Sequence, residues 1–550
     1  MSEKYNFNIV YKVGNKKFSC TSHECEHFSL SLTEKENILS LSTIPKTPVS
    51  FDKFDIIMPY TYSADSKIYV NGYQSWTDSM EYEPSEQMLE LSRKVEFFIT
   101  KSFGKLLGLS KSGDTLFWKF PRKSGLFYGW SYGYVRTDNN VDIFGTLTEK
   151  YGYTVVTFDC NNSNVIISKE LEGVTYTEPS KLLEFTFVSG EYDTAFDEYF
   201  KLIGIPCRET KRRCGYTTWY NYYGNINEKV VNNDLDSIIN QEVKFDCFQI
   251  DDGYQQHIGD WLITDKNKFP NGMKVIADKI HDSGMIAGLW LAPFAGVPSS
   301  ELFKNHPDWF IKDKKGKPYK TGHNWGGFYS LDIYNQGARA YIKQCFDVVL
   351  NEWGYDLVKL DFLYGACVLP MHNKSRGEIM TDAMDFIREC VGDKMILGCG
   401  VPMFPAFGKV DYCRIGADIQ ENWINRDTIR EDCSTPHATS NTIFRRHLNG
   451  RAWMNDPDVF FLREENMKMT FEKRLLIAKI NSIFGSLLFI SDDIKNYNNK
   501  QKQALIDTFG EKDIKVQKAE FIKKDIIQVV YSENGENKSF TFNIRDGQQY

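Results

Sequence analysis

Two short segments carry residue pairs suited to acid–base chemistry on a polar substrate. In VKLDFLY, Lys359 and Asp361 are two apart, so in a strand both side chains point the same way and the ammonium favours an ionised, nucleophilic carboxylate. In CRIGAD, Arg414 and Asp418 are four apart with Gly416 between them, a spacing that lets both reach one mouth, where burial would hold Asp418 protonated. Two carboxyl groups across a scissile bond, one attacking and one donating a proton, are what glycoside hydrolysis requires. Asp361 is therefore assigned as nucleophile and Asp418 as acid/base. Acidic residues at strand ends also cap the following helix, and that bland role stands against each of these aspartates and fits Asp492 and Asp493 better than catalysis does.

Positioning such groups calls for a scaffold that gathers strand ends. From residue 213 the chain alternates short apolar strands with segments of helical period. The strand candidates are GYTTWYNY, FDCFQIDDGY, IAGLWLAPF, DLVKLDFLY, MILGCG, DYCRIGAD, AWMNDPDVF and SLLFISDD. Eight such units over about 280 residues predict a (β/α)8 TIM barrel, and no glycine-rich phosphate loop favours a doubly wound sheet instead. A barrel presents chemistry at the C-terminal ends of its strands. Those ends hold Trp219, Tyr220, Asp251, Asp252, Trp290, Lys359, Asp361, Cys399, Arg414, Asp418, Asp456 and Asp458. Adjacent strand residues face opposite ways, so either one of Asp251 and Asp252 reaches the pocket while the other braces it, or both splay at the strand end. An acidic, aromatic mouth suits a neutral polyol, hydrogen-bonded and stacked on rings.

Residues 5–200 read as alternating strands and polar turns, an antiparallel sandwich, and the last fifty or so as a helix followed by strands. The predicted fold is thus multidomain: an N-terminal β-sandwich over 1–205, a catalytic barrel over 206–496 and a small C-terminal β domain over 497–550.

Composition narrows the partners. With 66 Lys and Arg against 73 Asp and Glu, the net charge of −7 disfavours nucleic acid. No secretory leader is legible in MSEKYNFNIV and no apolar run approaches the roughly 20 residues that span a bilayer, so a soluble, cytoplasmic protein without a membrane partner is expected. The 12 cysteines form no CxxC pair and are expected to be buried thiols. Cys20, His23, Cys25 and His27 lie close together, but no second ligand group at finger spacing accompanies them, and NDPD offers too few oxygens for calcium; neither a metal nor a cofactor is expected. Aromatic residues make up 15% of the chain, including 11 Trp, which leaves some for a binding surface. Trp261, with Trp219, Tyr220 and Trp290, is expected to line the pocket. SGLFYGWSYGYVR suits either a sandwich core or an interface of a homo-oligomer.

Taken in order, the segments NGYQSW, TTWYNYYG, FQIDDGYQQHIGDW, GLWLAPF, HPDWF, VKLDFLYGA, ILGCGVPMFPAFGKVDYCRIGADI and WMNDPD resemble those of the glycoside hydrolase family 36 α-galactosidases, in the clan that also includes family 27. The resemblance implies a retaining exo-acting enzyme on terminal α-linked galactose of oligosaccharides or glycoconjugates, without a cofactor. It assigns the nucleophile to Asp361, the acid/base to Asp418 and substrate contacts to Trp219, Asp251, Asp252, Trp290, Lys359, Cys399 and Arg414. It also brings in Trp76 of NGYQSW, which composition alone would leave in a core, as a ring projected over the site. Val401 follows the fifth strand where the sugar's 2-substituent would lie, and is expected to influence the choice between galactose and N-acetylgalactosamine. An α-N-acetylgalactosaminidase of the same family and a galactosyl transferase of the raffinose synthase type share these carboxylates and remain alternatives.

Overall fold

A computed structural model describes residues 4–88, 112–117, 119–423 and 433–550. Toward the N-terminus the chain forms a pair of antiparallel sheets, one of six strands and one of seven. Their burial alternates with period two, as in Asn164–Glu170, where Val165 and Ile167 are fully buried. The sheets meet through rings such as Phe144 and Phe158, 5.7 Å apart. The aromatics of SGLFYGWSYGYVR fall in Leu126–Trp130 and Tyr132–Thr137, and Phe127, Tyr128, Trp130, Tyr132 and Tyr134 are all buried. They belong to the sandwich core, the first of the two roles that the segment suited.

A nine-stranded sheet follows, every described pairing parallel. Its strands are β1 (Arg213–Thr217), β2 (Cys247–Ile250), β3 (Ile286–Leu291), β4 (Leu357–Leu360), β5 (Met395–Gly398), β6 (Tyr412–Arg414), β7 (Met454–Asp456), β8 (Val459–Phe460) and β9 (Leu487–Ile490). Each of the predicted strand segments contributes, and the seventh is divided in two. Nearly every residue of β2, β3, β4 and β9 is buried, the mark of a sheet covered on both faces, and apart from Gln249 and Lys359 these strands are apolar throughout. The lateral order is β7-β6-β5-β4-β3-β2-β1-β9-β8. The two ends of this row are separated in the chain only by Pro457 and Asp458; proline cannot donate to a ladder, and Asp458 has a left-handed φ of 76°.

Helices between these strands begin on side-chain caps. Ser375 and Glu378 form a reciprocal capping box at the start of Arg376–Val391, and Ser434 accepts from His437 N at the start of Thr435–Phe444. Between β3 and β4 the chain detours through a small three-stranded sheet, Ala295–Gly296, Lys320–Gly322 and Phe328–Ser330. After β9 come the helix Asn499–Phe509 and an antiparallel sheet of Ile514–Lys523, Ile526–Glu533 and Glu536–Asn543.

Cys20 and Cys25 are joined in a disulfide, which departs from the expectation of thiols: the turn between them brings the half-buried Cys20 and the buried Cys25 close enough for the sulfurs to meet. His27, of the same cluster, instead pairs its Nδ1 with the Tyr11 hydroxyl at 3.1 Å.

Candidate active site

The ends of β2, β4, β5, β6 and β7 and the loop after them bring most of the predicted residues together. Lys359, on β4, is buried and its Nζ donates to Asp251 Oδ2 at 2.7 Å, at the end of β2. Asp251 also accepts from Gln249 Nε2 at 3.2 Å and from the Asp252 amide at 3.0 Å. The lysine's direct partner is therefore Asp251, not Asp361; the spacing argument put the two side chains on one face but could not see which carboxylate across the sheet lay closer.

Asp361 follows β4. Its Oδ2 accepts the indole N–H of Trp290 at 3.1 Å and its Oδ1 the amide of Phe362 at 2.8 Å. Burial raises this carboxyl above the ordinary aspartate range; the Lys359 charge and the Trp290 N–H pull it back, and the Asp418 carboxylate adds to the rise. Phe362 carries the chain on with φ 55°, a strained conformation for an aromatic residue.

Arg414 ends β6 fully enclosed. Its Nη2 reaches Asp418 Oδ1 at 3.1 Å and Asp458 Oδ2 at 2.7 Å. Asp458 also receives the Tyr220 hydroxyl and the Ile419 amide, the latter at 3.0 Å. Neighbouring Asp456 is pushed up to about 7 by burial and accepts the Asp458 amide at 2.8 Å. The Asp418 side chain is 35% exposed, so of the two central carboxyls it is Asp361 that lies deep; the burial expected to hold Asp418 protonated is found at Asp361 instead.

Aromatic residues surround these groups. Trp76, from the N-terminal sheets' side of the molecule, donates its indole N–H to Cys399 Sγ at 3.3 Å and meets Phe362 edge to face at 5.0 Å. Gly400 makes room for it: its φ is 55°, and a Cβ there would lie 2.7 Å from the Trp76 ring. Trp261 is buried against Trp290, ring centroids 5.7 Å apart. Tyr220 is likewise buried, bracing Asp458, and the half-buried Trp219 packs against Tyr223 at 5.3 Å. The Val401 side chain is fully buried and its backbone pairs with Ser75, at 3.0 Å from Ser75 N to Val401 O, so this residue shapes the Trp76 loop. Asp492 accepts the Leu462 and Arg463 amides at 2.7 and 2.9 Å, the backbone role expected of it.

Trp325 was not legible in advance. Its indole N–H donates to Asp252 Oδ2 at 3.1 Å while Gln255 Nε2 donates to Oδ1 at 2.5 Å. The Trp325 ring also stands 4.6 Å from that of Phe362. It comes from the detour after β3, in HNWGG, whose paired glycines mark a tight turn but say nothing of where that turn lands.

Residues 196–379 match the Melibiase family model. The chain is a relative of the family 36 α-galactosidases. It is 32% identical over 157 residues to an A type blood α-D-galactosamine galactosaminidase of Flavonifractor plautii, and 29% identical over 150 residues to an α-galactosidase of Lactobacillus acidophilus. These stretches cover 27% and 26% of this chain but only 14% and 20% of those relatives. Among solved structures, an α-galactosidase from Thermus thermophilus superposes with a TM-score of 0.70 at 23% identity, over 92% of this chain and 98% of its own. The family 36 α-galactosidase AgaA from Geobacillus stearothermophilus gives 0.62 at 12% identity, over 97% and 80%. The family 36 fold is thus shared across nearly the whole chain.

Proposed function

We propose that this chain is a retaining, exo-acting α-galactosidase that removes terminal α-linked galactose by double displacement. The observation that carries the reading is the deep Asp361 carboxylate, fixed by Trp290 and opposed by a more exposed Asp418 held on Arg414. Asp361 attacks the anomeric carbon while Asp418 gives its proton to the leaving oxygen; Asp418 then takes a proton from the water that hydrolyses the glycosyl ester. Asp251, Asp252, Lys359 and Arg414 supply hydrogen bonds to ring hydroxyls, and Trp76 and Trp290 supply apolar walls. The parallel row closes through residues 457–458 into a (β/α)8 barrel with its mouth at this site, and residues 1–205, 206–496 and 497–550 act as sandwich, catalytic and C-terminal units. The complexes of the structural relatives with p-nitrophenyl α-D-galactopyranoside and raffinose support a carbohydrate substrate.

A panel of nitrophenyl α-galactoside, α-N-acetylgalactosaminide and α-glucoside, with and without sucrose as acceptor, tests the reading. Turnover of the galactoside is expected; no hydrolysis of any of them would overturn it. The similarity to a galactosaminidase makes the second glycoside the informative competitor. Asp361→Gly should lose turnover and recover with azide as a β-galactosyl azide, whereas an α-configured product would refute the assigned nucleophile.

A further inference from the structure

The loop that carries Trp76 is gripped by one turn of a single helix. Asn441, in Thr435–Phe444, and Arg445, which caps it, are four residues apart and so share a face. Arg445 Nη1 donates to the Ser75 carbonyl at 2.6 Å and its Nη2 to the Gln74 carbonyl at 3.1 Å, just before Trp76. Asn441 Oδ1 accepts from Ser79 N at 2.7 Å and its Nδ2 donates to the Thr77 carbonyl at 3.3 Å, just after it. Trp76 is thus held on both sides from one surface. Arg445 Nη1 reaches one further carbonyl, that of Ile415 at 2.9 Å, the residue following Arg414. Both side chains are fully buried, and enclosing a guanidinium to hold three carbonyls is a poor way to stabilise a core, because an apolar side chain of like length would fill the space without the desolvation penalty.

We propose that Asn441 and Arg445 are positioning residues for the donor sugar. They act through Trp76, and Arg445 ties that ring to the strand end bearing Arg414 and Asp418. The inference rests on the proposed galactoside site for its kinetic arm only. Each of these bonds ends on backbone and none on the carboxylates that do the chemistry, so loosening the grip weakens sugar binding more than it slows bond cleavage.

The test compares Arg445→Met, Arg445→Lys and Asn441→Ala in the full chain and in a Trp76→Ala background. With nitrophenyl α-galactoside, Arg445→Met should raise KM about tenfold, the worth of hydrogen bonds from a charged donor, with kcat within about threefold. Arg445→Lys should recover part of the loss. In the Trp76→Ala background the same substitution should change KM by less than about twofold, because the group it acts through is gone. Full additivity in that cycle, or a fall in kcat at unchanged KM, would overturn the proposal. Asn441→Ala leaves no buried charge unpaired and is read by the same criteria should Arg445→Met fail to fold. The emission contributed by Trp76, taken as the difference from Trp76→Phe, should shift in each clamp variant with no sugar present. That arm stands if no substrate is turned over, and an unshifted Trp76 signal refutes the clamp by itself.

Discussion

On the proposed assignment, Asp361 and Asp418 divide labour by depth. A nucleophile must be ionised, so activity falls as acid protonates Asp361, and burial sets that fall at a higher pH than an ordinary aspartate would give. The Trp290 N–H stabilises the charged form. Removing it in Trp290→Phe should therefore raise the Asp361 pKa further and move the acid limb of kcat/KM to higher pH; a limb that stays put or moves toward acid would show that Asp361 is not the group titrating. At this scale spacing and strand ends brought Arg414 to Asp418, at 3.1 Å, but gave Lys359 the wrong partner, Asp361 where the structure has Asp251. The sequence was silent where the partner arrives from a distant turn, as Trp325 does at Asp252.

At the level of elements, the loop after β5 does two jobs. Gly400 lets the Trp76 ring approach, and Val401 pairs with Ser75 beside it. Gly400→Ala should displace Trp76, both because its Cβ meets the ring at 2.7 Å and because alanine resists φ 55°. The expected result is a KM raised about tenfold on nitrophenyl α-galactoside with the melting temperature little changed; an unaltered KM would mean that the ring does not touch the sugar. The strands themselves were readable because apolar runs bounded by turn residues are a local signal. The division of the seventh strand at Pro457 was missed, because AWMNDPDVF reads as one strand: the break lets Asp458 turn back to Arg414, Tyr220 and the Ile419 amide, a set of partners visible only once β6 and the turn after β1 are in place.

Across the whole molecule, one buried arginine ties two strands of a sheet together and that sheet to another. Arg136 of the seven-stranded sheet pairs with Glu81 at 2.7 Å and with Glu520 of the C-terminal sheet at 3.1 Å. The Arg136 guanidinium holds the Glu81 carboxyl below its ordinary value in spite of burial. Such a group contributes stability that is present above its unfolded pKa and lost as pH falls through the folded one. Glu81→Gln should cost about 3–5 kcal/mol at neutral pH, because it leaves a buried arginine short of its partner. Thermal melts should show the gap to the unchanged protein narrowing in acid, where Glu81 is itself protonated; a gap constant with pH would refute the coupling. Ties of this kind were not readable from the sequence, since nothing local relates Glu81 to Arg136 or either to Glu520.

The grip on Trp76 also bears on the order in which a chain becomes competent. The bond from Arg445 to Ser75 joins residues 370 positions apart, whereas helices and hairpins close over a few. Contacts of long span form after the local ones that shorten the search, and large chains assemble in stages. A refolding population diluted from denaturant should regain its helical signal first and its affinity for galactosides last. Sugar affinity then becomes a clock for the final docking of one end of the polypeptide onto the other.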